Sequence, residues 1–298
     1  MTSRVPAVLR ALSRAAALLL PLAAIVARPP EAHGQKGLAR LAEQYVADYQ
    51  EQLTAIVADE EYVQDVRVQI PAAPGAPRSR TTSGEVFFIF TAPRGWMAIR
   101  DVHTVDGAPA PQRTSVREIL ATLPATRVSE QMRTYNAKFN IGRITRNINE
   151  PTLALLSLDE THRSRFRFST KRRQDVHGRP AVWLAFQERE APTLIRSIDG
   201  GAIYVKGELL VEAANGRIWE SRLTATVGGI NVELETEYTL DERLGLLLPS
   251  VFRERYEKGK PAAASRMKTP EAALEYEQIW CEAKYSNFRR FEVLSRIR

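Results

Sequence analysis

The sequence predicts an α+β fold: a strongly curved antiparallel sheet covered by an N-terminal helix and by short helices from the middle of the chain. Three observations carry that expectation. Residues 207–256 alternate apolar and polar side chains through consecutive strands, residues 35–58 repeat apolar side chains at helical spacing, and residues 115–158 break into short helical segments. A sheet with one apolar face must cover it, and the front and middle of the chain are the cover available.

The period of two is clearest after Glu208-Leu209-Leu210-Val211-Glu212, which runs into Asn215-Gly216, a dipeptide that tolerates the positive φ angles of a tight hairpin. Beyond it Trp219, Leu223, Ala225 and Val227 alternate with Glu220, Arg222, Thr224 and Thr226. Gly228-Gly229 turns the chain again, and Ile230, Val232, Leu234, Tyr238 and Leu240 oppose Asn231, Glu233, Glu235 and Glu237. Val251–Tyr256 is the next strand, with Arg253 and Arg255 set to face those glutamates.

At the other end, Arg4, Arg10 and Arg14 flank the apolar run 15–26, and no acidic residue precedes Glu31, which is the layout of a secretory signal. The run is shorter than the roughly 20 apolar residues a spanning helix needs. Ala32 and Gly34 suit cleavage after Gly34, so a signal peptide over 1–34 and a single exported domain over 35–298 are expected. No cysteine stands there to take a lipid. Cleavage removes four arginines and one glutamate, lowers the formal net charge from +7 to about +4 and leaves about 264 residues, enough for one core. Cys281 is the only cysteine, which rules out an internal disulfide and a thiolate metal cluster.

In chain order, Leu38, Leu41, Ala42, Tyr45, Tyr49, Leu53 and Ile56 predict an amphipathic helix over 36–58. Strands follow over 62–105, interrupted by a Pro-rich connection over 71–83. Val86, Phe87, Phe88, Ile89 and Phe90 are all apolar, so that strand needs cover on both faces. The helical insert 115–158 holds Ser115–Thr122 with a Ser115/Glu118 capping box, a second helix over 129–139, an irregular stretch 140–149 and a helix opened by Pro151-Thr152. Strands resume over 165–293, with Arg163, Arg165 and Arg167 on one face, a linker-like loop over 258–269 and one or two final strands over 275–293.

Enzyme signatures are missing: the chain has no phosphate-binding glycine loop, no G-x-S-x-G and no H-E-x-x-H. Asp101 with His103 and Asp175 with His177 share strand faces, and both read as solvated pairs rather than catalytic ones. The basic run 163–173 reads as a wet strand face, with an anionic membrane surface as a possible partner and nucleic acid excluded by export. Arg143, Arg146, Asn147 and Asn149 form a polar loop between helices, either structural or facing a ligand. Phe87, Phe88, Phe90, Trp96, Trp183 and Trp219 are candidates to line an apolar cavity; the alternative is plain core.

The Gly207–Trp219 hairpin (GELLVEAANGRIW) and the segment 285–291 (YSNFRRF) are similar to strands of outer-membrane lipoprotein-sorting proteins. With an N-terminal helix, a long meander and a helical middle, the layout resembles the unclosed half-barrel of the LolA, LolB and RseB-like superfamily of lipoprotein carriers and sensors. The stretch 140–158 is similar to one found in uncharacterised secreted bacterial proteins. The resemblance implies acyl chains held on a concave apolar face beneath a helical lid, with no cofactor and no catalysis. The function expected is therefore a periplasmic lipid or lipoprotein carrier; the alternative is a cell-envelope interaction module without a ligand cavity.

Overall fold

The alternating stretch forms consecutive neighbours in an 11-stranded antiparallel sheet. The computed structural model describes residues 34–68, 78–91, 95–146, 148–197, 200–259 and 276–291. The proposed signal, most of the Pro-rich connection, the loop after Gly259 and Asn147 lie outside the described residues. Helix α1 spans Gln35–Leu53, followed by β1 (Ile56–Val68), β2 (Ser79–Thr91), β3 (Gly95–Val105) and β4 (Ala108–Pro109). Helices α2 (Val116–Leu120) and α3 (Ala125–Asn136) precede 3-10 turns at Ala137–Phe139, Leu153–Leu158 and Arg163–Arg165. Strands β5 (Phe166–Val176), β6 (Arg179–Glu188), β9 (Lys206–Glu212), β10 (Ile218–Val227), β11 (Ile230–Asp241), β12 (Leu246–Lys258) and β13 (Glu277–Arg290) complete the sheet. Between β6 and β9, β7 (Ile195–Arg196) and β8 (Ala202–Ile203) pair as a small separate hairpin.

The strand order is β4-β3-β2-β1-β13-β12-β11-β10-β9-β6-β5, and among the described residues the edges β4 and β5 do not pair, so the sheet stays open. It is nevertheless strongly curved. Helix α1 touches both β2 and β5, strands that a flat sheet would hold about 38 Å apart, against a helix length of about 28 Å. The last strand, β13, lies between β1 and β12 and so joins the two ends of the chain in the middle of the sheet.

Register defines the two faces. Val86 and Phe88 of β2 pack into the inner core with α1, whereas Phe87 and Ile89 pack outward with Met97, Ile99 and residues of α2 and α3. Both faces of this strand are thus covered, as its unbroken apolar run requires. On β11 and β12 the outer face is wet instead: Arg253 meets Glu235, Glu237 and Glu282, and Arg255 meets Glu233 and Glu257.

Several boundaries differ from the sequence reading. The first helix ends at Leu53 rather than Ala58, because Thr54 turns its hydroxyl back to the Gln50 carbonyl and Ala55 takes a left-handed conformation (φ 71°). Ile56 and Ala58 then face the inner core and Val57 the outer one, so their apolarity serves a doubly covered strand and not a helix face. The Ser115/Glu118 capping box does not form either. Ser115 makes no side-chain cap, and the Asp101 carboxylate accepts the Val116 N–H at 3.1 Å instead. The third expected helix is the 3-10 turn Leu153–Leu158, and Arg163 and Arg165 lie in a 3-10 turn before β5.

Gly216 explains how α1 is seated. Its φ is +77°, and a β-carbon there would stand 2.3 Å from the Leu41 carbonyl oxygen. The Asn215-Gly216 turn therefore satisfies the hairpin and lets the helix backbone pass.

Candidate functional site

The inner face carries a buried polar belt across β3, β1, β13 and β12. The Nε of Arg100 lies 2.9 Å from both Glu60 oxygens, its Nη1 donates to the Asn149 carbonyl at 3.0 Å, and its Nη2 lies 3.4 Å from the Tyr285 hydroxyl. Burial works against the Arg100 charge, but the Glu60 carboxylate beside it prevails and raises its pKa well above the usual range. The Glu254 carboxylate accepts hydrogen bonds from Tyr62 at 2.8 Å and from Tyr256 at 2.5 Å. Gln64 receives Arg146 on its Oε1 and donates to the Phe139 carbonyl. Cys281 sits among these groups, and burial pushes its thiol up to about 12, so it stays protonated and unreactive. Side chains and carbonyls of the segment 139–149 thus fasten that segment to the sheet.

Past the end of this belt the packing opens. A cavity of about 490 Å³ lies between the segment 143–148, the β7 hairpin and the adjoining ends of β10 to β13. Ile144, Ile148, Ile195, Ile230, Val232 and Tyr256 give it an apolar lining, and Arg143, Arg196, Lys258 and Glu277 supply its charged groups. The segment is held there by Glu277, which is buried and accepts the Arg143 backbone N–H at 2.8 Å. Among the described residues of the lining, Glu277 is the one carboxylate, it is engaged with backbone, and there is no histidine or cysteine.

Of the polar-loop candidates, Arg143 lies in this lining and Arg146 is buried beneath it, its guanidinium 6.0 Å from the Tyr256 ring. Asn149 contributes its carbonyl to Arg100. The six aromatic candidates are placed elsewhere. In the inner core Trp96 packs against Tyr49 and Phe90, and Phe88 packs against Tyr285, whereas Phe87 faces outward against Phe291. Trp183 lies between Arg172 and Arg222, with its Nε1 donating to Gln174 at 2.8 Å. Trp219 donates to Glu212 at 3.0 Å and packs near His177 and Arg179. None of the six borders the cavity. The lining isoleucines carried no local signal, since they come from three segments far apart in sequence.

Glu85, Asp101 and His103 also meet, within 4.8 Å of one another. Their carboxylates are already engaged: Arg113 grips Asp101 at 2.8 and 2.9 Å, and Arg117 and Arg289 hold Glu85. This cluster joins β2 and β3 to the outer helices.

No family model matches the chain, and no curated protein matches it in sequence. Solved structures similar to it include a candidate outer membrane lipoprotein-sorting protein domain from Vibrio parahaemolyticus, at 10% identity over 88% of this chain and 96% of that one, with a TM-score of 0.45. A LolA superfamily protein from Nitrosomonas europaea is similar at 11% identity over 84% and 94% of the two chains, TM-score 0.31. A DUF1329 family protein from Desulfovibrio piger is similar at 10% identity over 88% and 95%, TM-score 0.32.

Proposed function

We propose that this protein is a non-catalytic, exported carrier that holds an acyl chain of a lipid or lipoprotein in the cavity between the segment 143–148 and the inner face of the sheet. The observation that carries this reading is the cavity itself: about 490 Å³, with an apolar lining made mostly of isoleucine and valine. Its size falls within the range of small-molecule sites, about 300–1,000 Å³. Each buried methylene contributes about 0.8 kcal/mol, so about ten of them outweigh much of the cost of ordering a chain without any dedicated polar contact. The signal-like segment 1–34 supports action outside the cytoplasm, where free acyl chains and lipoproteins need shielding from water.

The rival reading, an envelope module that pairs an edge strand with a protein partner, has less support. The long exposed edge, β5, carries Arg167, Lys171, Arg172 and Arg173, and such charges on an edge oppose strand addition. The same residues suit approach to an anionic membrane surface. Organic extraction of the protein purified from its native envelope, followed by mass spectrometry, tests the proposal. A co-purifying acyl lipid in near-stoichiometric amount is expected. A lipid-free protein that also fails to take up a fluorescent fatty acid contradicts it.

A further inference from the structure

Arginines on the outer face of β10 to β12 are paired: Arg222 with Glu220 and Glu235, Arg253 with three glutamates, Arg255 with two. That pairing stops at the cavity. Arg143, Arg196 and Lys258 are exposed, border the cavity, and among the described residues have no ion-pair partner. The carboxylate in the lining does not neutralise them by direct contact. Glu277 is 3% exposed, and its Oε1 is taken by the Arg143 backbone N–H.

The three cations converge on one mouth. Lys258 stands opposite both Ile230 and Glu277 in the sheet register, and the Arg143 backbone is bonded to that same Glu277. Arg196 comes from the β7 hairpin, which forms another wall. A ring of unpaired cations around an apolar hollow complements a molecule with a negative head and an apolar tail. It repels a cationic head and gives an uncharged one nothing.

We propose that the cavity takes a single-chain amphiphile with an anionic head, carboxylate or phosphate. The head lies among Arg143, Arg196 and Lys258, and the tail lies against Ile144, Ile230 and Val232. This rests on the acyl-binding reading above and narrows it to a ligand class.

The test is displacement of a neutral fluorophore, N-phenyl-1-naphthylamine, by four ligands of one chain length: dodecanoate, dodecyl phosphate, 1-dodecanol and dodecyltrimethylammonium. The two anions are expected to bind about tenfold more tightly than the alcohol, the product of two or three exposed charge pairings, with the cation weakest. Added salt should shrink that ratio, and the double substitution Arg143→Glu with Lys258→Glu should bring the ratio of dodecanoate to dodecanol affinity to one or below. A difference between the two anions identifies which head the mouth suits. Equal binding of all four ligands, or a ratio indifferent to salt, overturns the head-group inference and leaves the acyl site standing. Failure of every ligand, and of the fluorophore, overturns both.

Discussion

Arg100 on β3 reaches over β2 to Glu60 on β1, and the two charges meet at 2.9 Å with both side chains about 7% exposed. Because Arg100 also holds the Asn149 carbonyl, this buried pair ties the segment that roofs the cavity to the middle of the sheet. Removing one partner leaves the other charged and dry. Arg100→Met or Glu60→Met alone should cost about 3–5 kcal/mol, and the double substitution less than the sum of the two. Denaturant unfolding of the four proteins in this cycle measures the coupling.

Gly216 offers a second check. Ala at this position must hold a positive φ and also push back the Leu41 carbonyl. A loss of more than about 1 kcal/mol is expected, and amide exchange should show it first in α1.

Two carboxyls give stability opposite dependences on pH. Burial raises the Glu150 carboxyl to about 7, against the pull of Arg100 and of the Ala98 N–H that it accepts at 2.5 Å. Between its ordinary value of 4.5 and about 7 the unfolded chain gives up this proton while the native one keeps it, so stability falls as pH rises through that window. Glu150→Gln keeps an acceptor for Ala98 and removes the slope. The variant should be about 1–2 kcal/mol more stable than the parent at pH 8 and equal to it near pH 4.5. Thermal melts across that range decide.

Asp159 behaves in the other sense. Burial would push its carboxyl up, but His162, Gln50 and the Thr161 N–H outweigh burial and hold it at about 2. Its contribution is present in full above the ordinary value of 3.8 and fades as pH falls toward 2. Asp159→Asn should cost about 1–2 kcal/mol at pH 7 and progressively less on acidification, because Gln50 and Asp159 tie α1 to the 3-10 turn at Leu153–Leu158. The same melts, extended to acid, measure it.

How much of this was legible beforehand follows from how local each signal is. Asn215-Gly216 marks its hairpin, although the connection runs from Ala213 to Arg217 and of the pair only Gly216 takes a positive φ, and Glu233 to Glu237 show their wet face by simple alternation, so the meander could be read directly. The end of α1 could not, because Ile56, Val57 and Ala58 are apolar on both faces of a strand covered twice. Phe87 and Phe88 illustrate a signal that was present: neighbours on one strand face opposite ways and cannot line one hollow. The cavity had no such signal. Ile144, Ile195 and Ile230 meet only because the sheet curls round, and curvature is a property of the whole ribbon, not of any window along it. Arg143 was legible as a polar loop residue, but its place at the mouth depends on Glu277, more than a hundred residues away.

The most direct measurement is a crystal structure of the protein with 12-bromododecanoate, in which anomalous scattering locates the end of the chain. The account predicts one ordered bromine inside the cavity, among Ile144, Ile230 and Val232, with the carboxylate toward Arg143 and Lys258. A saturated crystal with no bromine there, or with bromine bound only on the outer surface, would contradict it.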